Sequence, residues 1–245
     1  MRNRLLVVVV LLGLVAALGC DPKPRANLLL IGDSNWPPTE LVQTTHWVAE
    51  QPYLTAVESW TGLGLVNDDA YGDGFARERV RNTAPAFAAD YVVTNFGVND
   101  GPAGAAAFEA ELDAFLDAVP AGTRVIWITP AAIGPAATEV AAIGDVLVAA
   151  QAERPDLWVI PFDAILAAVG GCPALGGAGV VVLPIDACFV DAATNGHLTS
   201  HGHLVLATLV RVYVDAAEGG RFREDPMVLA NEIISAIQLQ DTAPA

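Results

Sequence analysis

Three polar side chains with the chemistry of acyl transfer stand in separate parts of the chain. Ser34 follows an apolar segment at 27–31, Asn99 follows another apolar segment, and His197 precedes a late helical segment. In acyl transfer a histidine takes the proton of a serine hydroxyl, while amide and backbone N–H groups stabilise the oxyanion of the tetrahedral intermediate. Taken alone, the segment around Ser34 is also typical of a strand that ends in an Asx turn, with Asp33 and Asn35 bonded to the local backbone.

The elements that must position these residues alternate between strand and helix. Strands are predicted at 27–31, 63–67, 91–96, 124–129 and 157–161, and helices at 39–50, 75–89, 105–119, 136–153, 164–169, 198–217 and 227–239. The alternation predicts an α/β fold of three α/β/α layers, with a central, mainly parallel five-stranded sheet covered by helices on both faces. Open parallel sheets bind ligands at the carboxyl ends of their strands, so we expect Ser34, Gly72 and Asn99 to lie along that edge.

The composition limits the classes of partner. The 245 residues include 28 acidic and 12 basic side chains, which gives a formal net charge of −16, and no basic patch is visible. This charge argues against nucleic acid and anionic membrane surfaces as partners. A small-molecule or glycan ester is compatible with the composition, and we expect a monomer.

The first residues have the pattern of an export signal. Arg2 and Arg4 precede an apolar run at 5–18 that is short for a membrane span, and small residues then lead into Cys20. This end of the run resembles a bacterial lipobox, in which the cysteine is lipidated; the alternative is an ordinary secretory signal with an incidental cysteine. The predicted organisation is a lipoprotein-type signal peptide at 1–19, a tether at 20–26 and a single domain at 27–245. Such a protein is exported and held in the bacterial cell envelope by its N-terminal lipid.

Two further cysteines, Cys172 and Cys188, flank much of a Gly-rich segment at 170–191. An exported protein meets an oxidising compartment, where this pair is expected to form a disulfide. The alternative is two free thiols, because the sequence does not give their separation.

Several of these segments together resemble the SGNH hydrolase family, also called GDSL-type lipases and esterases. The matching segments are Gly32-Asp33-Ser34, Val66–Gly72, Gly97-Val98-Asn99-Asp100 and the histidine segment at 196–199. The resemblance covers residues 27–215 and implies the flavodoxin-like fold of that family. It also implies that no cofactor is needed.

The resemblance assigns roles to individual residues. Ser34 would be the nucleophile and His197 the general base. The oxyanion hole would consist of the Ser34 N–H, the Gly72 N–H, with Gly74 in reserve, and the Asn99 side chain. Asp33 and Asp100 are expected to anchor turns rather than to transfer protons.

One position departs from the family pattern. The family has an aspartate three residues before the histidine, where this chain has Thr194. Asp191 can replace it if the loop is rebuilt, or a backbone carbonyl can orient His197 in a Ser-His dyad, or catalysis is weak or lost. A zinc site at His197 and the nearby His201 is not expected, because the usual cysteine and carboxylate partners are absent at useful spacing.

The function expected from these features is a secreted serine esterase. It would hydrolyse a carboxylic ester, either an acyl lipid, an acetylated sugar or a small ester, through an acyl-enzyme on Ser34. The alternatives are a cell-envelope polysaccharide deacetylase or acyltransferase, and a non-catalytic surface-binding module on the same fold.

Overall fold

The computed structural model describes residues 26–35, 53–68, 70–132, 136–169, 172–176, 179–183, 190–191 and 197–230. The predicted signal peptide, Cys20, the tether up to residue 25, the helix at 39–50, Cys188 and Thr194 lie outside these ranges, as does the end of the helix predicted at 227–239. Within the described residues, no helix is long and apolar enough to cross a membrane.

Five parallel strands form the central sheet, in the order β2-β1-β3-β4-β5. The strands are β1 (Ala26–Gly32), β2 (Tyr53–Ser59), β3 (Tyr91–Thr94), β4 (Arg124–Ile128) and β5 (Leu157–Ile160). The predicted α/β class and the parallel five-stranded sheet are confirmed. Because every pair is parallel, the carboxyl ends of all five strands meet at one edge.

The helices cover both faces of this sheet. They are α1 (Phe75–Ala86), α2 (Ala105–Ala118), α3 (Ala137–Glu153), α4 (Phe162–Val169) and α5 (Ser200–Ala216), with a 3-10 turn at Gly101–Ala103. Successive residues of β1 point to opposite faces. Leu28 and Leu30 pack in a core with α4 and α5, and Leu29 and Ile31 pack in a second core with the first three helices. Two cores on one sheet confirm the predicted three layers.

The second strand lies earlier in the chain than predicted. The prediction at 63–67 is wrong, because β2 spans Tyr53–Ser59 and the predicted segment is a loop. As the edge strand, β2 has Tyr53 as its only buried residue, so it lacks the apolar run of a strand covered on both faces. The apolar side chains of Leu63 and Leu65 are buried, but they pack from the loop into the core beside α1 and α2.

Two small antiparallel ladders lie outside the central sheet. One pairs β6 (Cys172–Gly176) with β7 (Gly179–Leu183), within the Gly-rich segment. The other pairs β8 (Val190–Asp191) with β9 (His197–Leu198), just before α5. The histidine of interest therefore lies on a short strand that does not belong to the main sheet.

Candidate active site

Ser34 lies in a tight turn at the carboxyl end of β1, which we call the nucleophile turn (residues 32–35). The carboxylate of Asp33 holds this turn, because its Oδ1 accepts the Asn35 N–H at 2.8 Å and the Asn95 amide at 3.1 Å. Asp33 itself is fully buried, whereas Ser34 is partly exposed. The expected Asx-type turn is present, and it presents the serine at the edge where the strands end.

His197 reaches the same point from the far end of the chain. Its Nε2 lies 2.7 Å from the Ser34 Oγ, and the imidazole is exposed to solvent. A general base must lie within hydrogen-bond reach of the proton that it removes, and this distance satisfies that requirement. The structure thus brings together the two residues that the sequence predicts as nucleophile and base.

Asn99 follows β3 and has a fixed orientation. Its Nδ2 donates to the Leu63 carbonyl at 3.0 Å, and the side chain is half-buried. An asparagine amide carries two N–H groups, and the second has no acceptor among the described residues. The side chain can therefore offer one N–H to a ligand while the other holds it in place.

Asp100 shapes the loop beside Asn99. Its buried carboxylate accepts three consecutive backbone N–H groups, from Leu65, Val66 and Asn67, at 2.8–3.0 Å. Burial raises the pKa of this carboxyl, and the three hydrogen bonds act in the opposite direction. The expected role of Asp100 as a turn anchor agrees with these contacts.

Gly64 allows the close approach of that carboxylate. A Cβ atom at this position would lie 2.1 Å from the Asp100 Oδ1, a distance at which the two atoms clash. Only glycine leaves room for the Asp100 carboxylate beside the loop.

Gly72, the second donor expected for the oxyanion hole, lies in the turn before α1, and its part in the oxyanion hole stays a prediction. Its N–H already donates to the Asp68 carbonyl at 2.9 Å, and the N–H of Gly74, the expected reserve, donates to the Asp68 carboxylate. Both glycines thus belong to the turn that starts α1. The backbone group that contacts the Asn99 side chain is the Leu63 carbonyl, which lies in the loop where a strand was predicted.

Asp191 lies opposite His197 in the β8–β9 ladder. The register pairs Asp191 with His197 and Val190 with Leu198. Residues that pair in an antiparallel ladder are neighbours across the two strands. The ladder brings Asp191 near His197 although the two lie six positions apart in sequence.

Asn35 makes a contact that the sequence did not suggest. Beyond its place in the turn, its Oδ1 accepts the backbone N–H of Leu198 at 2.9 Å, in a buried hydrogen bond. No local sequence pattern predicts a hydrogen-bond partner so distant in the chain. The only feature that singled out Asn35 was a polar side chain directly after Ser34.

A small cavity of about 20 Å³ lies between the nucleophile turn and α5, with space for about one water molecule. Three polar side chains and a larger apolar set line it: Asn35, Asn95, Thr129, Val98, Ile128, Pro130, Ala131, Phe162, Leu198 and Leu206. Among the described residues, no group of three or more His, Cys, Asp or Glu side chains is placed to hold a metal ion.

The chain matches no protein-family profile and no curated protein. Solved structures do resemble it. A lipase/acylhydrolase from Enterococcus faecalis superposes with a TM-score of 0.57 at 18% identity, covering 79% of this chain and 96% of that chain. A catalytic mutant of Axe2, an acetylxylan esterase from Geobacillus stearothermophilus, gives a TM-score of 0.55 at 18% identity, covering 84% and 100%.

A third structure, described as a lipolytic protein of the G-D-S-L family from Desulfitobacterium hafniense, gives a TM-score of 0.51 at 13% identity, covering 74% and 95%. At these identities the likeness concerns the fold. The parallel five-stranded sheet covered by helices is consistent with these neighbours. The chain has the fold of the SGNH, or GDSL-type, hydrolases.

Proposed function

We propose that this protein is a serine esterase that hydrolyses carboxylic esters through an acyl-enzyme on Ser34. The observation that carries the proposal is the distance of 2.7 Å between the Ser34 Oγ and the His197 Nε2. A surface-binding module has no need of this contact, which therefore favours catalysis over the non-catalytic alternative. The fold neighbours described as a lipase/acylhydrolase and an acetylxylan esterase support the same reaction class.

The reaction proceeds in two halves. Ser34 Oγ attacks the ester carbonyl carbon while His197 Nε2 takes the hydroxyl proton, and the carbonyl oxygen becomes an oxyanion. The carbon–oxygen bond to the alcohol then breaks, and the imidazolium returns the proton to the leaving alkoxide. Water repeats the sequence on the acyl-enzyme, with His197 again as base, and releases the carboxylic acid and free Ser34.

The oxyanion requires hydrogen-bond donors already in place. The Asn99 amide supplies one, because its other N–H is fixed by the Leu63 carbonyl. The Ser34 backbone N–H supplies another, since it has no acceptor among the described residues. Removal of one such donor typically costs about 100- to 1000-fold in kcat.

Asp191 is the positioning residue that we assign to His197. The support is its place opposite His197 in the ladder, which replaces the sequence-local aspartate of the family pattern. A carboxylate beside the imidazole favours the tautomer in which Nε2 accepts the serine proton, and it stabilises the imidazolium that forms.

The substrate classes proposed for this site are an acyl lipid, an acetylated sugar or a small ester. A polysaccharide deacetylase would use the same steps, and an acyltransferase would differ only in the acceptor that attacks the acyl-enzyme. The formal net charge of −16 argues against nucleic acid as a partner, and we propose that the protein acts as a monomer.

We further propose that the protein is exported and lipid-anchored at Cys20. The support is the sequence alone, namely two arginines, a short apolar run and small residues before the cysteine. A disulfide between Cys172 and Cys188 fits the same oxidising compartment.

The test is hydrolysis of p-nitrophenyl acetate and p-nitrophenyl butyrate by the purified protein and by the Ser34→Ala variant. Ser59→Ala is the matched control, because Ser59 ends the neighbouring strand β2 and pairs with Gly32 in register. We expect activity in the wild type and the control and none in Ser34→Ala. Equal activity in Ser34→Ala, or failure of a phosphonate probe to label Ser34 in an inactive wild type, would refute the proposal.

A further inference from the structure

We infer that Asn35 is a positioning residue that sets the distance between the nucleophile and its base. This inference rests on the proposed function, since it assigns Asn35 a role in the same reaction. Among the described residues, Asn35 makes no hydrogen bond to the Ser34 hydroxyl or to the His197 ring; it acts by joining the nucleophile turn to the strand that carries His197.

Asn35 is fixed at both of its ends. Its backbone N–H donates to the Asp33 Oδ1 at 2.8 Å, and its side-chain Oδ1 accepts the Leu198 N–H at 2.9 Å. The residue is 7% exposed, so water competes little for either bond. Hydrogen bonds at both the backbone and the side chain fix the conformation of this buried residue, so it can hold the turn and β9 in one relative position.

Two hydrogen bonds between consecutive residues join the nucleophile turn to β9. Ser34 contacts His197, and the next residue, Asn35, contacts the next residue, Leu198. Among the described residues, these are the hydrogen bonds that join the nucleophile turn to β9. The Asn35 bond persists while Ser34 Oγ forms its bond to the acyl group, when the contact between Ser34 and His197 is interrupted.

The strand β9 needs such a tether. It contains two residues, pairs with the two residues of β8, and makes no ladder with the central sheet. On its other side, Thr199 caps α5 by accepting the Gly202 N–H at 3.2 Å. The helix thus fixes the end of β9, and Asn35 fixes its distance from β1.

Loss of the hydrogen bond between Asn35 and Leu198 should shift the position of β9 more than it lowers the stability of the fold. Asn35 lines the small cavity beside Leu198, so a shortened side chain leaves room for a water molecule that accepts the Leu198 N–H. The Leu198 N–H then still has an acceptor, but Asn35 no longer fixes the position of β9 relative to the nucleophile turn. A displacement of about 1 Å in a catalytic group can cost about 100-fold in rate.

The test compares Asn35→Ala with Asn27→Ala. Asn27 is the matched control because it lies near the start of β1, the strand that leads to the nucleophile turn, and its amide donates to the Phe87 and Ala88 carbonyls at the opposite edge of the sheet. We expect kcat to fall about 10- to 100-fold in Asn35→Ala with little change in KM, and to stay unchanged in Asn27→Ala. An unchanged kcat in Asn35→Ala would overturn the inference.

A double-mutant cycle with His197→Ala separates positioning of the base from a general disturbance. If Asn35 acts through His197, Asn35→Ala has no further effect on the residual rate of His197→Ala. An equal fold-loss in both backgrounds would mean that Asn35 acts elsewhere, and the inference would be wrong.

Hydrogen exchange of the Leu198 amide provides a readout that does not depend on activity. We expect this amide to exchange about 10-fold faster or more in Asn35→Ala, and at the wild-type rate in Asn27→Ala. Unchanged exchange in Asn35→Ala would refute the tether. If exchange changes as expected but the wild type hydrolyses no ester and Ser34 reacts with no phosphonate, the proposed function fails while the tether stands.

Discussion

Replacement of Asp33 by asparagine should change how stability depends on pH. Asp33 is fully buried, and burial raises its pKa from 3.8 to about 6, although hydrogen bonds from Asn35 and Asn95 lower it. Its Oδ2 has no hydrogen-bond partner among the described residues. The folded protein therefore favours the protonated form of Asp33 more strongly than the unfolded chain does.

The sign of the change in the free energy of unfolding with pH follows from the number of protons that each state binds. Between about pH 4 and pH 6, Asp33 is mostly protonated in the folded state and ionised in the unfolded state. The free energy of unfolding therefore falls as pH rises through this window and is flat above it. A pKa difference of about 2 units corresponds to about 3 kcal/mol in total, of which about 2 kcal/mol lies between pH 4.5 and pH 8.

Asparagine at position 33 keeps an oxygen that can accept a hydrogen bond, but it has no carboxyl group that titrates. Its Oδ1 can still accept the Asn35 N–H, and its Nδ2 lies where the Asp33 Oδ2 already lacks a partner, so the stability of the variant does not depend on the titration of this position. The free energy of unfolding of the wild type minus that of Asp33→Asn should therefore be largest at pH 4.5. This difference should fall by about 2 kcal/mol by pH 8.

Urea unfolding of both proteins at half-unit steps from pH 4.5 to pH 8 measures this difference. Asp73→Asn, which removes an exposed carboxylate near α1, controls for the loss of one negative charge. A difference between wild type and Asp33→Asn that stays constant across the range would refute the reasoning. A difference that grows with pH would mean that the hydrogen bonds to Asp33 outweigh its burial.

Further substitutions test the role of Asp191, the packing around Gly64 and Gly144, and the lipidation of Cys20. Asp191→Asn should lower kcat about 100-fold or more if Asp191 orients His197, whereas the exposed Asp145→Asn should have no effect in the same ester assay; an unchanged rate in Asp191→Asn would favour a dyad. Gly64→Ala should lower the free energy of unfolding in urea by about 2 kcal/mol because its Cβ meets the Asp100 carboxylate. Gly144→Ala, in open space within α3, should raise it by about 0.5–1 kcal/mol, and the same sign for both glycines would contradict the packing argument. Cys20→Ala should move the protein from the membrane fraction to the soluble fraction, and unchanged fractionation would count against lipidation.

The inner part of the fold was predictable from the sequence. The strands β1, β3, β4 and β5 are apolar runs buried on both faces, which distinguishes them from helices and loops. The parallel sheet then follows from the alternation of strands and helices. Ser34 and Asn99 could be placed at one edge because each directly follows such a strand.

The parts that depend on long-range pairing could not be predicted. The edge strand β2 is only partly buried along most of its length and has a mixed composition, so the sequence favoured the more apolar segment 63–67 as the second strand. The β8–β9 register and the Asn35–Leu198 bond join segments that carry no local signal for each other. The hydrogen bond of the Gly72 N–H within the turn before α1 likewise has no local signal in the sequence, and the role of Gly72 in the oxyanion hole stays a prediction.

Because His197 lies on a ladder outside the sheet, the proposed nucleophile and the proposed base belong to parts of the fold that open at different free energies. Ser34 follows β1, an inner strand whose opening requires loss of both cores, whereas β9 is held by two paired residues, one side-chain bond and the start of a helix. Segments with few contacts open at a lower free energy than the global transition. Catalytic competence should therefore be lost on heating before the sheet melts, and cooling should restore it without refolding of the domain.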